Sequence, residues 1–328
     1  MKAKIIGTGS YLPSRILSNT DLEKMVDTSD EWITTRTGMK ERRIASVDEH
    51  TSFMGLEAAK KALEAAAIHP DAIDMILFAT ITPDYVFPSS ACLLQQGLKA
   101  HRAAALDIQA ACTGYLYALS IAKSFVESSQ CQNVLVVASE KLSTIVDYTD
   151  RSTAILFGDG AAACVVSKHG SGYTIDEITL GADGEQADLL CMPAGGSRLP
   201  ASHKTVEEKK HFLAMDGKEV FKHAVRRMEQ ACETCLERAG LKEGDLRYLI
   251  PHQANMRIIE ALSKRFGLPI DRVYVTIHKY GNTSASSLGI ALDECIREKK
   301  CEKGDKMMLT AFGAGLTWGA CLLTKDLA

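Results

Sequence analysis

No apolar run in this chain is long enough to span a bilayer, and the opening stretch MKAKIIGTGSYLPS lacks the hydrophobic segment of a secretory signal. Neither sign dominates its charge. The 38 Lys and Arg against 41 Asp and Glu leave a net −3, which excludes a chain built to coat nucleic acid. Nor is it poor in apolar residues, which make up 46% and exclude a disordered chain. Zinc spacing is missing too: Cys232 and Cys235 form a CxxC, but no second ligand pair accompanies it. Both fall on the apolar stripe of Phe221, Val225, Met228 and Ala239, so core packing is the better reading. These absences point to a cytoplasmic globular protein with no membrane or nucleic-acid partner and no metal.

What is present is length and repetition. At 328 residues the chain is about twice the usual domain length. LEAAAIHPDAIDMIL (63–77) aligns with LERAGLKEGDLRYLI (236–250) at an offset of 173 residues. QQGL (95–98) aligns with RFGL (265–268) at an offset of 170, which lays Cys112 over Asn282 and, with a one-residue slip, the strand pattern AALDI (104–108) over VYVTI (273–277). AAACVV (161–166) resembles WGACLL (318–323) at an offset of 157. A period this long means two related α/β halves, 1–170 and 171–328, not a solenoid. Helices alternating with strands predict largely parallel sheets, with loops from matching strand ends converging on one site. The stretches at about 140–160 and 170–220 read as loops and excursions.

Cys112 follows the strand pattern AALDIQ and precedes a helix marked by Leu116, Leu119, Ala122, Phe125 and Val126. A helix start offers free N–H groups and a positive dipole end, both favouring thiolate, so a low thiol pKa is expected. A buried thiol packed between strand and helix is the competing reading. His252, in RYLIPHQAN, falls just past a strand; Asn282 stands beside Gly281 in IHKYGNTSASS; His278 is a rival base. Gly313 and Gly315, in AFGAGLTWG, permit close backbone approach and N–H donors at an oxyanion.

QAACTGYLYAL, PHQAN, GNTSAS and AFGAGLTWG, in that order, resemble the motifs of the β-ketoacyl-acyl-carrier-protein synthase III family, the initiating condensing enzymes of bacterial fatty-acid synthesis. The likeness runs from GTGSYLP to the final strand and implies a thiolase-like α/β fold of duplicated αβαβα halves with pseudo-twofold symmetry. It implies Cys112 as acyl-accepting nucleophile, His252 and Asn282 as its partners, and the N–H groups of Cys112 and Gly313 as the oxyanion hole. The N-terminal TSDEWITTRTG resembles the family's coenzyme A site. On that likeness Thr28, Trp32, Arg36 and Arg151 hold the nucleotide end, and Gly217, Phe221 and Asn255 line the pantetheine path. Gln253, Ala254, Asn255, Met256 and Arg257 match a carrier-protein contact, and Phe87 matches a residue reaching a partner's acyl pocket in a homodimer. The implied substrates are a short acyl-CoA and malonyl-acyl carrier protein, with no metal or other cofactor. The chain departs from the family in its GAG loop and in Leu316, where three glycines and Phe are common. Three other readings stay open: a condensing enzyme of secondary metabolism, a Cys-dependent acyl-CoA hydrolase, and a non-catalytic binding scaffold.

Overall fold

A computed structural model describes residues 2–298 and 301–326. Nine strands form one mixed sheet: β1 (Lys4–Tyr11), β2 (Met75–Ala79), β3 (Ala104–Ile108), β4 (Asn133–Glu140), β5 (Gly160–Ser167), β6 (Tyr173–Ala182), β7 (Leu246–Pro251), β8 (Lys306–Gly313) and β9 (Thr317–Lys325). Its principal helices are α1 (Asp30–Thr37), α2 (Thr51–Ala66), α3 (Gly114–Glu127), α4 (Gly217–Ala239), α5 (Met256–Arg265) and α6 (Ser286–Arg297).

Strand order is β7-β8-β9-β6-β1-β5-β4-β2-β3. It reads alike outward from the antiparallel β1/β6 pair. One arm runs β1-β5-β4-β2-β3; the other runs β6-β9-β8-β7 and ends where Val273 bridges Leu249 in parallel. The sequence offsets land on equivalent elements: β2 with β7, β5 with β9, α3 with α6.

Three expectations are corrected. First, the sheet is not largely parallel: five pairings are antiparallel and three parallel. β8 and β9 are joined by three residues, too short for anything but an antiparallel hairpin. Second, VYVTI is no strand, only the single bridge at Val273. The Gln253 side chain replaces the missing ladder. Its Oε1 accepts from Thr276 N (2.8 Å) and Ile277 N (3.0 Å), while its Nε2 donates to Pro251 O (2.6 Å) and Tyr274 O (3.2 Å). Third, the excursion at 170–220 contains β6, a ten-residue strand at the sheet's centre.

Helices fill the space on both sides of each arm. α3 and α6 lie between the arms: Tyr115, Leu116, Leu119, Leu288 and Leu292 share one buried cluster with Leu77 and Val136 of one arm and Ile250 and Leu309 of the other. α2 covers the outer face of the first arm through Met54, Ala58 and Ala62. α4 and α5 cover that of the second through Met228, Cys232, Cys235, Ile259 and Leu262. The result is five layers, αβαβα. Burial of such faces is worth about 25 cal/mol per Å² of apolar surface, and it sets the arms rigidly about α3 and α6. No helix among the described residues is long and apolar enough to cross a membrane.

Candidate active site

Cys112 sits in a one-turn 3₁₀ segment, Ala111–Thr113, between β3 and α3. The turn is tight: Ala111 is held at φ 45°, a conformation costly for any residue but glycine. Thr113 Oγ1 braces it, donating to Ala110 O (2.6 Å) and lying 2.7 Å from Thr317 Oγ1 at the start of β9. Cys112 opens onto a cavity of about 1030 Å³, also lined by His252, Asn282, Ser284 and Gly313. That volume is at the upper end of the range of small-molecule sites. Gly313 ends β8 against the cysteine. A Cβ placed there would lie 2.7 Å from Cys112 N, so only glycine lets the two backbones meet.

The expected low thiol pKa is not what this environment favours. Burial pushes the Cys112 thiol up to about 12; the Ser284 hydroxyl works against that rise, and the Glu140 carboxylate adds to it. Desolvation of the anion thus opposes the helix-end effect, which is typically a fraction of a kcal/mol to about 2 kcal/mol.

His252 follows β7, its N–H bonded to Thr310 O at 2.8 Å. Its ring is buried, which drives its pKa down to about 3, so the imidazole is neutral across the physiological range. Nδ1 lies 2.6 Å from Ser287 Oγ at the start of α6. Ser287 Oγ accepts from Gln253 N at 3.4 Å, leaving its own proton for Nδ1. On that assignment Nε2 carries the imidazole proton. Asn282 is also buried, and its Oδ1 accepts from Ser284 N at 2.8 Å, which leaves Nδ2 as the free donor end. Two neutral donors thus share a cavity with the cysteine. The rival His278 is half-buried in the short helix Ile277–Tyr280 and does not line the cavity.

The residues aligned with a coenzyme A site gather at α1 and the cavity mouth. Ser29 caps α1 through Trp32 N, and the left-handed Gly38 ends it. Trp32 is 37% exposed, with the Arg36 guanidinium 6.0 Å and the Arg151 guanidinium 5.1 Å from its ring centre. Arg151 also donates to Asp27 O. A base between Trp32 and Arg151 needs about two stacking spacings, so Arg151 must swing outward to admit one. Thr28 Oγ1 is buried without a hydrogen-bond partner, an open polar atom beside the exposed indole's helix. Asn255 links this corner to the cavity: it lines the cavity, its Nδ2 donates to Arg36 O (3.2 Å), and its Oδ1 caps α5 at Arg257 N (2.9 Å). Gly217 and Phe221, on the first turns of α4, line the same cavity.

The 253–257 segment divides. Gln253 is fully buried and bonded to backbone through both amide atoms, so its place in a carrier-protein contact is corrected: it holds the loop and offers no surface. Ala254 and Met256 are half-buried; Arg257 is exposed, its guanidinium 5.4 Å from the Phe221 ring centre. Among the neighbouring cations, Arg265 pairs with Glu229 and Glu233, Arg227 with Asp183 and Lys222 with Glu219. Arg226 and Arg257 stand outside ion pairs among the described residues. Phe87 is 84% exposed, in line with Tyr85 and Val86 at 59% and 95%. Tyr85 and Val86 line the cavity, whereas Phe87 makes no part of the pocket in a single chain.

The sequence patterns assign no role to Glu140, Ser284 or Ser287, nor to the 190–196 and 213–215 segments, of which Leu190, Met192, Gly195, Leu213 and Met215 line the cavity. Glu140 has a readable signal, being the one charge in the strand NVLVVASE, at its end.

Two family models and several full-length relatives match the chain. Residues 106–184 match the family model described as 3-oxoacyl-[acyl-carrier-protein (ACP)] synthase III, and 236–325 match that of its C-terminal part. The chain is 58% identical over 327 residues to the β-ketoacyl-[acyl-carrier-protein] synthase III of Chlamydia muridarum, covering 99% of this chain and all of that one. It is 56% identical over 321 residues to the same-named protein of Caldanaerobacter subterraneus, covering 98% and 97%. The crystal structure of 3-oxoacyl-[acyl-carrier-protein] synthase III from Aquifex aeolicus superposes with a TM-score of 0.90 at 50% identity, covering 98% of this chain and 99% of that one.

Proposed function

The chain belongs to the β-ketoacyl-acyl-carrier-protein synthase III family, and from that premise we propose how its residues divide the reaction between them. The enzyme condenses a short acyl-CoA with malonyl-acyl carrier protein, releasing carbon dioxide and coenzyme A and starting a fatty-acid chain. In our reading acetyl-CoA is the primer. Its adenine meets Trp32, Arg151 and Thr28, its phosphates meet Arg36, and its pantetheine arm runs past Asn255, Phe221 and Gly217 to Cys112. The Cys112 sulfur attacks the thioester carbonyl, and the N–H groups of Cys112 and Gly313 receive the oxyanion. Malonyl thioester then enters and loses carbon dioxide. The resulting enolate carries charge on its thioester oxygen, which accepts from His252 Nε2 and Asn282 Nδ2. Its carbon attacks the acyl group on Cys112.

One observation carries this reading. Two polar side chains that share the cavity with Cys112 are turned as neutral donors, His252 by burial and Ser287, Asn282 by Ser284 N. Such donors serve an oxygen whose charge appears in the transition state. The chemistry calls on no further cofactor. The test is a panel of acyl-CoA primers offered with malonyl-acyl carrier protein. The reading expects carbon dioxide and a 3-oxoacyl-acyl carrier protein in equal amounts, with acetyl-CoA the best primer. Release of free acid from acyl-CoA alone would favour a hydrolase and overturn it.

We also infer a homodimer in the cytoplasm. Tyr85, Val86 and Phe87 form an exposed apolar tip, which matches a segment that crosses to a partner subunit. Sedimentation equilibrium of the wild type and of Phe87→Asp tests this: the dimer is expected to weaken in the variant, and a monomeric wild type contradicts it. Arg257 and Arg226 are among the exposed charges that suit an acidic carrier protein.

A further inference from the structure

The largest wholly buried side chain among the described residues is a charged one, Arg42. It sits on the short strand Glu41–Ile44, which pairs with Arg15–Ser18 in a two-stranded sheet apart from the main one. Its guanidinium joins two segments. Nε (3.0 Å) and Nη2 both donate to Ile155 O, and Nη1 donates to Asn19 Oδ1 (2.6 Å). Both acceptors are neutral. Burial lowers the pKa from 12.5 to about 10, which leaves the group charged near neutral pH. A cation placed in the interior against neutral oxygens is costly. A neutral amide could hold one of these oxygens, whereas the rigid fork of a guanidinium holds both at once.

The two segments lead to opposite ends of the site. Asn19 is buried, and its Nδ2 donates to Asp30 Oδ1 (2.7 Å), Thr34 Oγ1 (3.3 Å) and Met39 O (2.9 Å). Asp30 and Thr34 belong to α1, the helix that carries Trp32 and Arg36, so α1 anchors one end of the fork. Ile155, at the other end, precedes the residues that hold Asn282. Asn282 N donates to Leu156 O (2.9 Å), Gly158 N donates to Asn282 O (3.0 Å), and Phe157 bridges Asn282 in parallel. Asp159 N then donates to Arg43 O (2.8 Å), so residues 155–159 lie between the Arg42 strand and Asn282. The Arg42 stem fits against the glycines of both chains. A Cβ at Gly281 would lie 3.0 Å from Arg42 Cγ, and one at Gly158 would lie 3.3 Å from Arg42 Cβ. Arg42 does not itself line the cavity.

We propose that Arg42 is a positioning residue for the condensation step: by holding Ile155 O and packing against Gly158 and Gly281, it sets where the Asn282 amide stands in the cavity. Acyl loading draws on the N–H groups of Cys112 and Gly313, to which Arg42 makes no hydrogen bond. Its loss therefore falls on the second stage.

The proposal rests on Asn282 as an enolate donor, and the experiment separates the two. Arg42→Gln, Arg42→Lys, Asn282→Ala and the double variant combining Arg42→Gln with Asn282→Ala are compared in two single-turnover steps. One is loading of Cys112 from saturating acetyl-CoA, weighed as intact protein. The other is carbon dioxide release when the loaded enzyme meets malonyl-acyl carrier protein. Near-ultraviolet circular dichroism is the fold control, and Met54→Ala, in the core beneath α2, is the control for lost stability alone. Arg42→Gln is expected to load within about twofold of wild type and to release carbon dioxide at least about tenfold more slowly, because a displaced donor costs rate steeply. Arg42→Lys should fall between, since it keeps a donor for Ile155 O. In the double variant the Arg42 substitution should cost no further carbon dioxide release, because the group it positions is gone. Equal losses in both steps, losses that multiply in the double variant, or the same split in Met54→Ala overturn the proposal. Should Arg42→Gln not fold, Arg42→Lys replaces it in the cycle under the same criteria. If Asn282→Ala is impaired and a folded Arg42→Gln is not, the role of Arg42 alone fails. If Asn282→Ala releases carbon dioxide at the wild-type rate, the reading of Asn282 fails and takes this proposal with it.

Discussion

Adding one methyl group at Gly313 isolates the contact between the two halves at the nucleophile. An alanine Cβ there would sit 2.7 Å from Cys112 N, 3.1 Å from Cys112 Cβ and 3.2 Å from Cys112 Cα. None of these is the end of a flexible side chain. The end of β8 and the Ala111–Thr113 turn must therefore move apart by several tenths of an ångström. That displacement acts on both proposed oxyanion donors, the N–H groups of Cys112 and Gly313. Removing one such donor costs about 3–4 kcal/mol, a factor of 10² to 10³ in rate. Overpacking adds a stability loss of about 1–3 kcal/mol. Gly313→Ala is therefore expected to acquire an acyl group from acetyl-CoA at least about a hundredfold more slowly than wild type. Stopped samples weighed as intact protein give the rate. Gly244→Ala, where no atom lies within 4 Å, serves as the control for a glycine exchanged without steric cost. A folded Gly313→Ala that is acylated at the wild-type rate refutes both the contact and the oxyanion assignment.

Other expectations concern the two stages, the partner and pH. His252→Ala and Asn282→Ala should still load an acyl group on Cys112 but release little carbon dioxide from the malonyl partner, since their donors face charge formed in the second stage. Loading that fails in a folded His252→Ala contradicts that division. Arg257→Glu should raise KM for malonyl-acyl carrier protein more at low salt than at high, and unchanged kinetics across salt remove Arg257 from the interface. Glu140 makes stability fall as pH rises. Its folded carboxyl binds protons up to about 7 while the unfolded one releases them at 4.5, so its contribution is full below 4.5 and lost through pH 7. The difference is about 3 kcal/mol at most. In urea melts Glu140→Gln should therefore gain on wild type between pH 4.5 and 7.5, and a difference that does not vary with pH refutes the buried ionisation.

Much of this layout is legible in the sequence because backbone geometry constrains residue type. The offsets near 170 survive as equivalent strands and helices, and residue pattern alone carries Cys112 and Asn282 to matching positions. Gly313 is legible for a related reason, since a backbone contact this close admits no side chain. Strand β6 is hidden because Asp176 and Glu177 interrupt its alternation and glycine-rich loops follow it. The false strand at VYVTI has the right residues, but Gln253, far from it in period and chemistry, supplies the hydrogen bonds instead of a neighbour. The thiol's ionisation is misleading in the sequence because a helix start is local and readable, whereas burial is collective. Glu140 and Ser284 escape for the same reason: an unpartnered oxygen exists only in three dimensions.

The central claim is that Cys112 carries the acyl group between two substrates, and a pulse and chase on the intact protein tests it most directly. The enzyme is mixed with acetyl-CoA, freed of excess, weighed and digested, then given malonyl-acyl carrier protein in a parallel undigested sample. The account predicts one added acetyl group on the Cys112 peptide, none in Cys112→Ser, and its transfer on chase into 3-oxobutanoyl-acyl carrier protein with one carbon dioxide released per acetyl lost. An acetyl group found elsewhere, or one that leaves as acetate when the malonyl partner arrives, contradicts it.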